Sequence, residues 1–316
     1  MNIKEVTFGA ERVETDGNVF EFFRMSEKQS ELFGKTSESF YKKSFATAGI
    51  FLDFYTDATG FSFKFKRELA SVTRKWYYLE AMINGRFAKL EGEAEAVKNE
   101  GALNIVLDGK LNRVTVFLPN LSKVKLYDAE LRDSSRIIPA KKKGKILFYG
   151  DSITQGYDAI RPSKSYVNGF CFANDIEPIN LGIGGDVFNA DNVSEEKLDC
   201  DAVVVAYGTN DWKLESREHA THAPAEFFKK LRRVYSDKKI YYLMPIWRKD
   251  FSVKTAAGDF LDCRKLFAEQ AENAGIDKII DTIDFIPKDE IYFSDGLHPN
   301  DKGFEFYFKA LNGMLK

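Results

Sequence analysis

Only three cysteines and three histidines occur among the 316 residues. Cys171, Cys200 and Cys263 are odd in number, widely spaced and set in apolar or helical surroundings, which argues against a secreted disulfide framework and for reduced, buried thiols. His219, His222 and His298 make no Cys/His cluster of structural zinc spacing, and no helix pattern carries two histidines four apart around a glutamate, so neither a metal nor another cofactor is expected. His219 and His222, three apart in a polar stretch, are expected at the solvent surface. An excess of one charge is missing too. The formal net charge is -2 with both signs interspersed, which argues against nucleic acid or an anionic membrane as partner. No apolar run approaches the ~20 residues of a membrane span, and Met1 to Thr7 lacks a basic start followed by a long apolar segment. A soluble, cytoplasmic chain without membrane insertion is the expectation.

The length exceeds the ~100 to 200 residues of a usual single domain, so two domains are expected, residues 1–139 and 140–316. The first is rich in short apolar alternations. Phe61, Phe63 and Phe65 fall at every second position and share one face of a strand, and Asn84-Gly85 is a tight-turn dipeptide between strand patterns over Trp76 to Met82 and Arg86 to Ala88. Similar runs at Ile50–Tyr55, Leu103–Leu107, Arg113–Leu118 and Lys123–Tyr127 predict a β-sandwich, jelly-roll-like in type. The segment Ile137 to Lys145 reads as a linker whose lysines are exposed.

Beyond it, apolar strands alternate with helical patterns. Ile146–Tyr149, Ile179–Leu181, Ala202–Tyr207, Ile240–Met244 and Ile279–Ile280 are strand candidates, and Phe260 to Asn273 and the segment from Asp301 toward Leu315 are helical. The near-continuous apolar character of Ala202–Tyr207 is that of a parallel strand covered on both faces, so residues 140–316 are expected to form a three-layer α/β/α domain.

Four polar segments follow apolar runs: Gly150-Asp151-Ser152, Gly182 to Asp186, Gly208-Thr209-Asn210-Asp211, and Asp295-Gly296-Leu297-His298. A buried strand ending in a small polar turn puts the Ser152 hydroxyl at the carboxyl edge of a sheet, where open α/β folds hold their ligands. A serine hydroxyl needs a neighbouring base at neutral pH, and His298 is the one histidine joined to an acidic, glycine-containing loop. Asp295, three residues earlier, is placed to orient the imidazole ring. The Ser152 amide, the backbone of Gly185 and the side-chain amide of Asn210 are candidate donors to a developing oxyanion. Asp211 is a candidate brace for its loop.

With these four motifs in order, residues 145 to 316 resemble the SGNH, or GDSL-like, hydrolase superfamily. The resemblance implies Ser152 as nucleophile, Gly185 and Asn210 as oxyanion donors, and Asp295 and His298 as carboxylate and base. A β-rich leader ahead of such a domain resembles the arrangement of carbohydrate esterase family 2 and related bacterial enzymes. That implies a serine esterase removing acetyl groups from a saccharide or glycoside, with an acylated carbohydrate or other small ester as partner. Trp212 and Trp247 are candidate floors for a sugar ring, and Tyr157 with Asp158 candidate shapers of the entrance. A lipid or general short-chain esterase, a lysophospholipase or a thioesterase uses the same machinery, and a non-catalytic carbohydrate-binding protein is the alternative outside enzymology. The oligomeric state is left open.

Overall fold

A computed structural model describes the chain apart from residues 70–72, 75, 96, 135 and 316. The N-terminal part is strand-rich. It contains β1 (Thr7–Phe8), β2 (Arg12–Asp16), β3 (Val19–Phe23), α1 (Glu27–Thr36), α2 (Glu38–Ser44), β4 (Phe51–Thr56) and β5 (Gly60–Leu69). β6 (Tyr77–Ile83), β7 (Arg86–Glu93), β8 (Glu100–Val106), β9 (Asn112–Phe117) and β10 (Ser122–Arg132) follow, and β11 (Ile138–Pro139) pairs with β4. Two antiparallel sheets result, ordered β1-β4-β9-β6-β7 and β2-β3-β10-β5-β8. The alternating phenylalanines explain why they meet: Phe61, Phe63 and Phe65 of β5 are buried in the same apolar cluster as Leu52 and Phe54 of β4 and Val114 and Val116 of β9. At the β6–β7 hairpin, Asn84 (φ 51°) and Gly85 (φ 75°) both take the left-handed conformation that a two-residue turn demands.

Two features differ from the sequence reading. The helices α1 and α2 interrupt the strand pattern, α1 beginning at a capping box in which Ser26 and Gln29 exchange side-chain-to-backbone hydrogen bonds. Lysines 141 and 143 are exposed as expected of a linker, but Lys142 is not. Its ammonium is hydrogen-bonded to the buried Asp53 at 2.5 Å and lies over the rings of Phe8 and Phe51, because β11 pulls this segment onto β4.

The second part begins at β12 (Gly144–Gly150) and continues through α3 (Ser152–Gln155), α4 (Tyr166–Asn174), β13 (Ile176–Asn180), β14 (Ala202–Ala206), α5 (Thr209–Leu214) and α6 (Arg217–Val234). It ends with β15 (Lys239–Leu243), α7 (Phe260–Asn273), β16 (Lys278–Ile280) and α8 (Asp301–Leu311). The five strands are parallel, in the order β13-β12-β14-β15-β16. Alternation along β12 divides the layers. Leu147 and Tyr149 enter a core with Phe227 of α6 and Phe267 of α7, while Ile146 and Phe148 enter another with Phe170 of α4 and Tyr307 of α8. Helices therefore cover both faces of the sheet. After β13 the chain crosses to the other side of β12, so a topological switch point opens at the carboxyl ends of β12 and β14.

The two parts are joined by buried charge. Arg24, just after β3, is 1% exposed and donates to four carbonyls, Ser44 and Lys43 on its own side and Asn180 and Gly182 at the end of β13, at 2.7 to 3.2 Å. Burial lowers its pKa to about 9, so the guanidinium keeps its charge at neutral pH. Arg161 similarly donates to the fully buried Glu80 of β6 at 2.5 and 2.9 Å. Arg24→Met would take one donor from each of four carbonyls, of which that of Lys43 keeps the Ala46 N–H, and the expected loss of stability is about 3 kcal/mol, read as a lowered urea midpoint. A midpoint within error of the parent would show that Arg24 does not tie the two parts together.

Candidate active site

Strand β12 ends at Gly150, and Asp151 caps α3 by accepting the Ile153 N–H at 2.9 Å. This sharp strand-to-helix turn presents Ser152 at the switch point. Its Oγ lies 2.8 Å from Nε2 of His298, and Nδ1 of His298 lies 2.8 Å from Oδ2 of Asp295. The Asp295–His298 loop is held by its own hydrogen bonds: Asp295 Oδ1 accepts the N–H groups of Leu297 and His298, and the Ser294 N–H donates to the His298 carbonyl. Partial burial pushes the Asp295 carboxyl upward, but the hydrogen bonds from the ring and backbone of His298 outweigh it and hold the group well below the usual carboxylate range. Asp295 is thus ionised opposite the ring nitrogen that does not face the serine.

The loop after β13 forms the second wall. Gly185 is exposed and takes φ +91°, a conformation that favours glycine. Among the described residues, neither the Ser152 N–H nor the Gly185 N–H meets a protein acceptor. Asn210, 8% exposed at the start of α5, spends one amide hydrogen on the Asp186 carbonyl at 2.9 Å, which fixes its side chain against this loop. Gln155 accepts from the Gly184 N–H at 2.8 Å, and the Lys43 ammonium, reaching across from α2, donates to the Gly184 carbonyl at 2.5 Å. Asp211 braces the arrangement as its position suggested: it accepts the Phe188 N–H and faces His219 Nε2, each at 2.9 Å.

The aromatic assignments divide. Tyr157 is buried and stacks on the His298 ring, centroids 5.5 Å apart, forming a wall of the site. Trp247 is half-buried against Phe293 and Phe251. Trp212 does not line a pocket. It is fully buried, donates from Nε1 to the Gly258 carbonyl at 2.9 Å and packs on Phe260. Two positions after Asn210 on one helix, it points away from the face that carries Asn210. His219 also departs from expectation, since its bond to Asp211 draws it half inside and raises its pKa, whereas His222 is exposed. All three cysteines are free and buried.

Asp158, Asp295 and His298 are close enough for one cation to bind all three. The two carboxylates are already bridged by a protein cation. Arg74, from the segment between β5 and β6, donates to Asp158 at 2.6 and 2.8 Å and to Asp295 at 3.2 Å. Nothing in the sequence around Arg74, Lys43 or Arg24 marked them, because each reaches the site from the strand-rich part. A cavity of about 430 Å³ lies elsewhere, at the opposite edge of the parallel sheet among Lys145, Ile146, Ala202 and Tyr241, far from the serine.

A serine on a strand-to-helix turn, an imidazole and an ionised carboxylate thus meet at the switch point of a parallel sheet, an arrangement suited to a serine hydrolase. The chain belongs to the GDSL-like lipase/acylhydrolase family, whose model matches residues 148–306. No curated protein sequence matches it. Among solved structures, a salicylyl-acyltransferase from a tetracycline biosynthetic pathway is similar with TM-score 0.74 at 18% identity, over 98% of this chain and 95% of that one. A GDSL-lipase-like protein from Bacteroides ovatus matches with TM-score 0.71 at 22% identity, again over 98% and 95%. A family two carbohydrate esterase from Clostridium thermocellum in complex with cellohexaose matches with TM-score 0.65 at 15% identity, over 98% of both chains. At these identities the likeness is one of fold, and it extends over the strand-rich part as well as the α/β part.

Beneath the site lies a buried carboxyl, Asp186, held by the Tyr207 hydroxyl and the Asn192 amide. Burial raises its pKa from 3.8 to about 8 against the Tyr207 hydrogen bond. The folded state therefore holds a proton that the unfolded chain releases, and the associated stability is complete below about 3.8 and lost as pH rises toward 8. Asp186→Asn lacks this dependence. Its urea midpoint is expected to gain on that of the parent between about pH 5 and pH 8; a constant difference would mean that Asp186 is ionised throughout.

Proposed function

We propose that the protein is a serine esterase that removes short acyl groups, O-acetyl above all, from a saccharide or glycoside through an acyl-serine intermediate. The observation that carries this reading is the unbroken relay from Ser152 through His298 to Asp295, with both contacts at 2.8 Å. Ser152 Oγ attacks the ester carbonyl while His298 Nε2 takes its proton, and Asp295 stabilises the imidazolium that forms. The Ser152 and Gly185 N–H groups and the free amide hydrogen of Asn210 receive the oxyanion. His298 then protonates the departing alcohol, activates a water molecule and releases the carboxylic acid from the acyl-serine. In this reading residues 1–139 are a β-sandwich domain of jelly-roll type, residues 140–316 are the hydrolase domain, and both line the cleft.

The saccharide preference rests on the character of the walls. Lys43, Asp158 and Arg74 give the cleft polar flanks, and the half-buried Trp247 replaces Trp212 as the aromatic surface for a sugar ring. The fold shared with a family two carbohydrate esterase in complex with cellohexaose supports the same reading. A long acyl chain would demand continuous apolar burial, worth ~0.8 kcal/mol per methylene.

Matched acetyl, butyryl and octanoyl esters are expected to give kcat/KM falling with chain length, and acetylated oligosaccharides to be turned over in preference to lysophospholipid. A rise from acetyl to octanoyl with no sugar deacetylation would overturn the saccharide reading. Asn210→Ala is expected to lower kcat by roughly 10²- to 10³-fold with little change in KM, because the amide meets charge that develops only in the transition state. Unchanged single-turnover acylation in the folded variant would remove Asn210 from the oxyanion site.

A further inference from the structure

His298 faces two carboxylates. Besides Asp295 at 2.8 Å, Asp158 Oδ2 lies 3.8 Å from the same Nδ1. Asp158 is 5% exposed and is held in the left-handed conformation (φ 65°) directly after Tyr157, whose ring stacks on the imidazole. A second buried anion at this distance stabilises the imidazolium and makes the neutral ring, the form that accepts the Ser152 proton, harder to populate. The remaining groups around the ring do not offset it. Among the described residues these are the Ser152 hydroxyl, the Tyr157 ring, the buried Asp151 beneath, and Lys249, whose backbone N–H holds the Gly296 carbonyl while its ammonium is turned to Glu290.

Arg74 supplies the missing cation. Its Nε and Nη2 engage both oxygens of Asp158 as a fork, Nη2 extends to Asp295 Oδ2, and the guanidinium lies 5.6 Å from the centroid of the Tyr157 ring. A forked guanidinium–carboxylate pair is both directional and strong. We propose that Arg74, delivered from the strand-rich part of the chain, is a positioning residue that neutralises Asp158, keeps Asp295 turned toward Nδ1, and thereby sets the basicity of His298. This rests on the esterase reading for its kinetic consequence, though not for its electrostatic one. It also gives the N-terminal part a role in the chemistry that does not depend on sugar binding.

The test compares Arg74→Gln, Arg74→Lys, Asp158→Asn and the double variant Arg74→Gln/Asp158→Asn, each checked for an unchanged melting temperature. Two readouts are taken: the pH profile of kcat/KM with an acetyl ester, and the NMR titration of the His298 ring. Arg74→Gln is expected to move the acid limb, and the His298 titration with it, up by about one pH unit, a roughly tenfold loss of kcat/KM on the acid side that disappears at high pH. Arg74→Lys should restore most of the shift, and the double variant should return the midpoint to the parent value or below, since the uncompensated anion is gone. If the His298 midpoint in Arg74→Gln stays at the parent value, or if the double variant titrates like Arg74→Gln, the proposal is overturned. Should the parent hydrolyse no ester, the esterase reading fails alone, because the NMR titration still decides the role of Arg74.

Discussion

The contact between His298 Nε2 and Ser152 Oγ joins residues 146 apart in sequence, and the rest of the molecule is arranged so that these two atoms meet. One end is fixed by β12, paired on both sides by β13 and β14, and by the short turn through Asp151. The other is fixed by α8, whose Phe304, Tyr307 and Leu311 share a core with Phe148 of β12 and Phe170 of α4. Between them, the pairing of Phe293 with Pro299 and the Asn300 cap of α8 leave the Asp295–His298 loop little freedom. A hydrogen bond of 2.8 Å tolerates small displacement, so packing on the α4/α8 face governs chemistry at the sheet edge.

The strand-rich part takes part in this arrangement. Arg24 grips the carbonyls at the end of β13, Lys43 grips the Gly184 carbonyl beside the exposed Gly185, and Arg74 grips Asp158 and Asp295. Three cations from one part of the chain thus hold the loops that carry Gly185 and the carboxylates in the other. Each donates to main-chain carbonyls or to carboxylates at the junction of the two parts, where an unmet buried polar group is costly. This explains physically why the two parts are built as one molecule.

Local signals were legible in the sequence wherever chemistry and backbone geometry coincide. Asn84-Gly85 makes its hairpin, the helix Phe260–Asn273 begins and ends where the periodicity placed it, and Ser152 converges with Asp295 and His298 from two separately recognisable motifs. Two kinds of feature were not legible. The first is direction on a short helix: adjacency to Asn210 and Asp211 suggested Trp212 as a pocket residue, but the turn of α5 carries its ring into the core. The second is partnership across the chain. Arg74, Lys43 and Lys142 look in sequence like ordinary surface charges, and only the packing of the two parts brings them to Asp158, Gly184 and Asp53. The helices α1 and α2 were likewise hidden in a region read as strands, although the Ser26–Gln29 capping box is a local signal for the first.

The central claim is that Ser152 carries the acyl group during turnover. Rapid-quench peptide mapping by mass spectrometry, on protein mixed with excess acetyl ester, examines this directly. An acetyl group on the peptide containing Ser152, appearing before steady state, lost on a chase with water alone and absent from Ser152→Ala, is the predicted result. Continued ester hydrolysis by Ser152→Ala at the parent rate, or acetyl found on another residue with the same kinetics, would contradict the account.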